Sequence, residues 1–125
     1  MISFEEFILE DNSPIYLQII RYIKQGIASG AIADREEVPS RRMLSALLGV
    51  NPNTIQKAYR MLEEEGVIQS HSGAKSYTCV DAGTVERIRG ELLMSDTAAW
   101  VKAMKLLGVS MESACALAES IWESV

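Results

Sequence analysis

The chain has 125 residues, 48% hydrophobic and 23% charged, which fits a folded domain with its own core and excludes a disordered chain. No apolar run reaches the ~18 residues of a membrane span, and Met1–Glu6 lacks the basic start of an export signal. Cys79 and Cys115 stand alone, a usage that fits a reducing interior, so no membrane association and a cytoplasmic location are expected.

Ser13 before Pro14 reads as the N-cap and first position of a helix. Ile15, Ile19, Ile23 and Ile27 recur every four residues, Tyr16 and Ile20 widen the stripe, and Gly30 closes it. A charged link, Asp34 to Glu37, leads to Val38-Pro39, where the proline pushes Val38 toward extended backbone. Ser40 caps a short second helix with Leu44, Leu47 and Leu48 facing inward. Gly49-Val50 turns the chain. Asn51-Pro52 then repeats the start device for a third helix, with Ile55, Ala58, Tyr59 and Leu62 inward and Gly66 as its stop. Two short helices across a Gly-containing turn make a helix-turn-helix pattern. Val67-Ile68 and Tyr77 to Val80 are strand candidates, and the polar stretch from Gln69 to Ser76, with Gly73 near its middle, reads as a hairpin tip or wing.

The tail from Asp81 carries two apolar stripes. Val85, Ile88, Leu92, Ala99, Trp100, Met104 and Leu107 form one, ended by Gly108. Ser110 caps the helix that carries the other: Ala114, Leu117, Ala118, Ile121 and Trp122. Two helices alone cannot cover both stripes, so a partner surface is implied. The expected homodimer contacts are Val85, Ile88, Leu92, Trp100, Met104, Leu107, Leu117, Ile121 and Trp122. Trp100 and Trp122 leave open an apolar effector in a tail cavity, whose identity, if it exists, is unknown.

The net charge of −5 argues at first sight against nucleic acid, but its distribution reverses that. Residues 1–11 hold four acids and no base, residues 12–80 eight Lys/Arg against six Asp/Glu, and residues 81–125 four bases against seven acids. The middle is locally basic, which is enough for phosphate contact. Asn53, Thr54, Gln56, Lys57 and Arg60 face outward on the third helix. Asn and Gln can pair with adenine N6/N7, Arg or Lys with guanine O6/N7, and Thr with a thymine methyl or a phosphate. They lie toward the helix N-terminus with Asn51, where free N–H groups also favour phosphate. Lys57 and Arg60 could hold either a guanine or a phosphate.

Ser40, Arg41 and Arg42 open the second helix, which in this motif crosses the phosphate backbone; Arg42 either anchors there or pairs with Glu36 or Glu37. Gly73 and Lys75 in the wing either reach the minor groove or its phosphates, or are simply solvated. The run Glu63–Glu65 is expected to point away from phosphate. His71 has no Cys or acidic partner at metal-ligand spacing, and no Gly-rich phosphate loop appears. No enzyme activity, metal or cofactor is expected.

Residues 14–80 resemble the DNA-binding domain of the GntR family of bacterial regulators. The matching residues are Pro14-Ile15-Tyr16-x-Gln18-Ile19, Gly30-x-Ile32, Val38-Pro39-Ser40-x-Arg42-x-Leu44, and the run from Gly49-Val50-Asn51-Pro52-Asn53-Thr54-Ile55 through Ala58-Tyr59, Leu62-Glu63 and Gly66-Val67-Ile68. The resemblance implies that Arg42, Asn53, Thr54, Gln56 and the surroundings of Gly73 lie against an operator. Ala103-x-x-Leu106-Leu107-Gly108-Val109-Ser110 is similar to the tail of the YtrA subfamily, which implies dimerisation through the tail and repression of operons for ABC-type transporters. The sequence departs from the family at two places. Arg35 stands where the family usually has Gly, and the wing, His71 to Val80, is longer, less basic and lacks a second Gly.

The expected fold is mainly α with a small β-hairpin: a winged helix-turn-helix over residues 1–80, then a short two-helix dimerisation tail over residues 81–125. The expected function is a transcription regulator, a repressor that binds a double-stranded, inverted-repeat operator as a homodimer. A dimeric winged-helix protein-interaction module with little DNA affinity is the alternative.

Overall fold

The computed structural model describes residues 1–71 and 75–125. Its elements run α1 (Ile15–Ser29), β1 (Glu37–Val38), α2 (Arg41–Leu48), α3 (Pro52–Glu64), β2 (Ile68–His71), β3 (Lys75–Thr78), α4 (Ala82–Leu106) and α5 (Met111–Ile121). The chain packs as two compact units, Met1–Gly90 and Glu91–Val125.

In the first unit, α1 buries Ile19, Ile20, Ile23 and Ile27 along one face, each burial stabilising by about 1.5–3 kcal/mol. Its start differs from the expected Ser13 cap. Pro14 is the N-cap residue and no side chain caps the helix; the Ser13 carbonyl accepts from Gln18 Nε2 at 2.8 Å. The same Gln18 amide accepts from Glu10 N at 2.9 Å and donates to Glu10 O at 2.8 Å, tying the preceding loop to the first turn.

The N-terminal segment is built into the core, which its acidic composition did not suggest. Ile2 and Phe4 are each only 4% exposed. Ile2 N donates to Glu37 O at 2.9 Å, and the Phe4 ring lies 5.6 Å from Phe7 and 4.8 Å from Tyr22.

Ser40 caps α2 by accepting from Met43 N, and Asn51 caps α3 by accepting from Asn53 N. Ile55, Ala58, Tyr59 and Leu62 are buried as expected, but of the three leucines on α2 only Leu44 is fully so. Leu48 is half-buried and Leu47 is 64% exposed. At 100° per residue the two flank Leu44 on opposite sides, and on this short helix only the Leu48 flank is covered.

The sheet has three antiparallel strands in the order β1-β3-β2, where a two-stranded hairpin was expected. The extended segment at Val38 joins as the extra strand, pairing Glu37 with Tyr77 and Val38 with Ser76. Ile68 pairs with Thr78 and His71 with Lys75. Cys79 and Val80, expected in a strand, leave the ladder: their N–H groups go to Val67 O at 2.9 Å and Asp34 Oδ1 at 2.8 Å. The buried Thr78 hydroxyl sews this strand to the loop before β1, donating to Ala33 O at 2.6 Å and accepting from Glu36 N at 2.9 Å. Arg35, in that loop, has φ of 59°, the left-handed conformation for which glycine is the natural residue.

In the second unit Gly108 takes φ of 75° and Ser110 caps α5 by accepting from Ser113 N at 3.2 Å. Ala114 is buried. Trp100, Met104, Leu117, Ala118, Ile121, Trp122 and Val125 line an open apolar groove of about 750 Å³. Leu107 lies outside that lining and is exposed. Leu92 is half-buried, as is Val85 of the first unit, to which Ile88 also belongs. Ile88, expected at a dimer contact, is 0% exposed within the chain itself, so it is a core residue with no surface left for a partner.

Candidate nucleic-acid interface

Pro39, Ser40 and the first turn of α2, one face of α3 and the ends of the strands enclose a groove of about 320 Å³. Tyr59 belongs to its lining, and its hydroxyl donates to Pro39 O at 2.7 Å. Burial pushes the phenol far above its usual range, and the nearby Arg41 charge only partly offsets this. The bond is buried and fixes how α3 meets the residue that leads into α2.

Four cations line this groove: Arg41, Arg42, Arg60 and Lys75. Glu36 and Glu37, the acids that could have taken Arg42, are engaged elsewhere. Glu36 lies 3.9 Å from the N-terminal ammonium and accepts from Ala33 N at 3.0 Å. Glu37 lies 4.0 Å from Lys75. Among the described residues Arg42 and Arg60, both in the groove lining, have no ion pair that would neutralise their charge. The one acid in the lining is Glu63, which accepts from Ser70 Oγ at 3.0 Å. The run Glu63–Glu65 was expected to point away from phosphate; the structure places Glu63 in the same groove lining as the cations, since position 63 follows Gln56 and Tyr59 down one helix face. Glu65 lies outside this lining and pairs with Lys24 of α1 at 2.9 Å.

The groove gathers Ser40, Arg41, Arg42, Gln56, Arg60 and Lys75. Gln56 is half-buried, and its side-chain oxygen accepts from the Arg41 guanidinium. Asn51, Asn53, Thr54 and Lys57 lie outside the groove lining. The Asn51 side chain is engaged as a cap 2.8 Å from Asn53 N, Asn53 is exposed, and Thr54 is half-buried. Lys57 lies over the Tyr16 ring of α1, 4.0 Å from its centroid. Gly73 lies outside the described residues.

Two relationships escaped sequence reasoning: the Tyr59–Pro39 bond and the Arg41–Gln56 pair. Both join residues on opposite sides of the helix-turn-helix turn, and no fixed spacing announces either. Among the described residues no cluster of His, Cys, Asp or Glu is arranged to hold a metal ion, and no helix is long and apolar enough to cross a membrane.

A model of the gntR family of bacterial regulatory proteins matches residues 15–77, which take in α1, the helix-turn-helix and nearly all of the sheet. The chain is 36% identical over 83 residues to the HTH-type transcriptional repressor YtrA of Bacillus subtilis (strain 168), covering 66% of this chain and 63% of that protein. It thus spans a little under two-thirds of that repressor's length. It is 30% identical over 103 residues to the HTH-type transcriptional regulator YhcF of the same organism, covering 82% of this chain and 85% of that one. Among solved structures, a GntR family transcriptional regulator from Listeria monocytogenes superposes with a TM-score of 0.80 at 32% identity, over 90% of this chain and 98% of that one.

Proposed function

The chain belongs to the GntR family of bacterial transcription regulators, and from that premise we propose that it is a repressor which binds an inverted-repeat DNA operator as a homodimer. The observation that carries this reading is the groove between α2, α3 and the sheet, where three arginines and Lys75 outnumber Glu63. Arg42 and Arg60 serve as phosphate or guanine contacts, and Gln56 and Asn53 as base readers. Lys57, held over Tyr16, is assigned to phosphate. Ser40, Asn51 and Thr54 contribute at the helix starts, Gly73 and Lys75 in the wing. Residues 1–80 form the DNA-binding domain and residues 81–125 the dimerisation tail, with the apolar groove of the second unit covered by the partner copy. Repression follows from the similarity to YtrA, and the site of action is the cytoplasm, where the DNA is.

The test is selection of genomic DNA fragments on the purified protein. The expected result is an enriched inverted repeat with half-sites about one helical turn apart, roughly 34 Å. Recovery of fragments without a shared motif, together with binding indifferent to salt, would favour a module that docks on other proteins.

A further inference from the structure

The geometry points to Arg41 as a positioning residue that sets which end of the Gln56 amide faces DNA, carbonyl inward and NH₂ outward. This rests on the reading of Gln56 as a base contact and deepens it. A guanidinium can only donate, so the Gln56 atom bonded to Arg41 is the side-chain oxygen. The donor-only chemistry of the guanidinium thus assigns the amide orientation, oxygen toward Arg41 and NH₂ away from it. The two groups share one groove, and Gln56 is half-buried in it, unlike the exposed Asn53, Lys57 and Arg60. Among the described residues no acceptor takes the Gln56 Nε2 hydrogens. The unbound protein therefore offers an ordered donor there.

A free glutamine presents donor and acceptor with equal ease by rotating its amide, and ordering it on DNA costs side-chain entropy. Arg41 removes both freedoms beforehand. With its oxygen turned to Arg41, the atoms Gln56 turns toward the base are its N–H donors. The contacted atom is then a major-groove acceptor: purine N7, guanine O6 or thymine O4. Arg41 shapes the preference at that base pair without touching the base, and its action is separable from the charge it adds toward phosphate.

The experiment uses the full chain, the operator recovered by genomic selection, and its single-base variants. Gln56→Ala first identifies the base pair whose preference depends on Gln56, an effect of roughly fivefold or more. Arg41→Met removes the donor and the charge but keeps the length of the side chain. Affinity for every DNA should fall, and the preference at the Gln56 base pair should also fall, to within about twofold of that left by Gln56→Ala. The double variant should show no further loss of preference. Arg41→Lys, which keeps a donor of similar reach, should restore the preference. Circular dichroism checks the fold, and Arg41→Ala serves instead should Arg41→Met not fold. An Arg41→Met protein that binds all sequences more weakly but keeps the full preference would overturn the proposal and leave Arg41 a phosphate anchor. If Gln56→Ala itself changes no preference, it is the base-reading assignment that fails, and the role of Arg41 falls with it.

Discussion

The Tyr59 hydroxyl on α3 donates a 2.7 Å hydrogen bond to the carbonyl of Pro39, the residue two before α2. The bond is buried, so losing it leaves the Pro39 carbonyl without a partner. Tyr59→Phe should cost about 1–3 kcal/mol, read as a lower urea midpoint, and should weaken operator binding because the angle of α3 to α2 loosens. The phenol adds a pH signature. Burial raises its pKa in the folded state, so its contribution is complete below about pH 10, where an unfolded tyrosine titrates. It is lost as pH rises beyond that point. Alkaline unfolding curves should therefore be shallower for Tyr59→Phe than for the wild type.

Arg35 occupies a left-handed conformation, φ 59°, with an exposed side chain. Its family usually places glycine there, and the structure supplies the reason: the backbone must turn so that Arg35 N reaches Thr78 O at 3.0 Å. A non-glycine residue in that region costs roughly 1–2 kcal/mol, partly offset by the greater freedom of glycine when unfolded. Arg35→Gly should raise stability by about 0.5–1 kcal/mol with an unchanged denaturant slope. A lower midpoint would show that the Arg35 side chain contributes more than its weak 4.0 Å approach to Asp34 suggests.

Thr78→Val keeps the shape of a buried side chain but removes a hydroxyl bonded to both Ala33 O and Glu36 N. Two part-buried backbone groups then lose that partner, and the expected loss is about 1–2 kcal/mol. Hydrogen exchange should locate the damage, with faster exchange at Glu36 N and at Thr78 N, which donates to Glu36 O. Loss spread evenly over the helices would argue against a local tie.

Gly26→Ala tests packing against helix propensity. An alanine in mid-helix usually gains about 1 kcal/mol over glycine. Here a Cβ would lie 2.4 Å from Ile32 Cδ1, and Ile32 is itself buried. The substitution should destabilise, and Ile32→Val, which removes that terminal methyl, should recover part of the loss in the double mutant.

The oligomer prediction depends on where the chain is cut. Because the first unit extends to Gly90 and buries Ile88, a truncation must keep Ile88 to test assembly rather than folding. A chain ending at Gly90 should sediment as a folded monomer while the full chain sediments as a dimer. A truncated protein that stays dimeric would remove the tail from the interface.

Much of this molecule was legible in one dimension, for reasons local to the chain. Helix starts and stops depend on residues within one turn, so Ser40, Asn51-Pro52, Gly30, Gly66 and Ser110 marked their positions directly. Burial on α3 follows helical periodicity, and Ile55, Ala58, Tyr59 and Leu62 sit where that period places them. What the tertiary structure decided are the relationships between segments far apart in sequence. The N-terminal Ile2 and Phe4 became core residues because β1 and Tyr22 were there to cover them. Val38 gained a strand partner only when β3 arrived beside it. Leu47 and Ile88 exchanged their expected environments, since periodicity tells which face a residue is on but not what lies against that face. The orientation of Gln56 belongs to the same class: its amide is fixed by Arg41 from the preceding helix, and a hydrogen bond across a turn depends on the angle between two helices, which neither helix encodes alone.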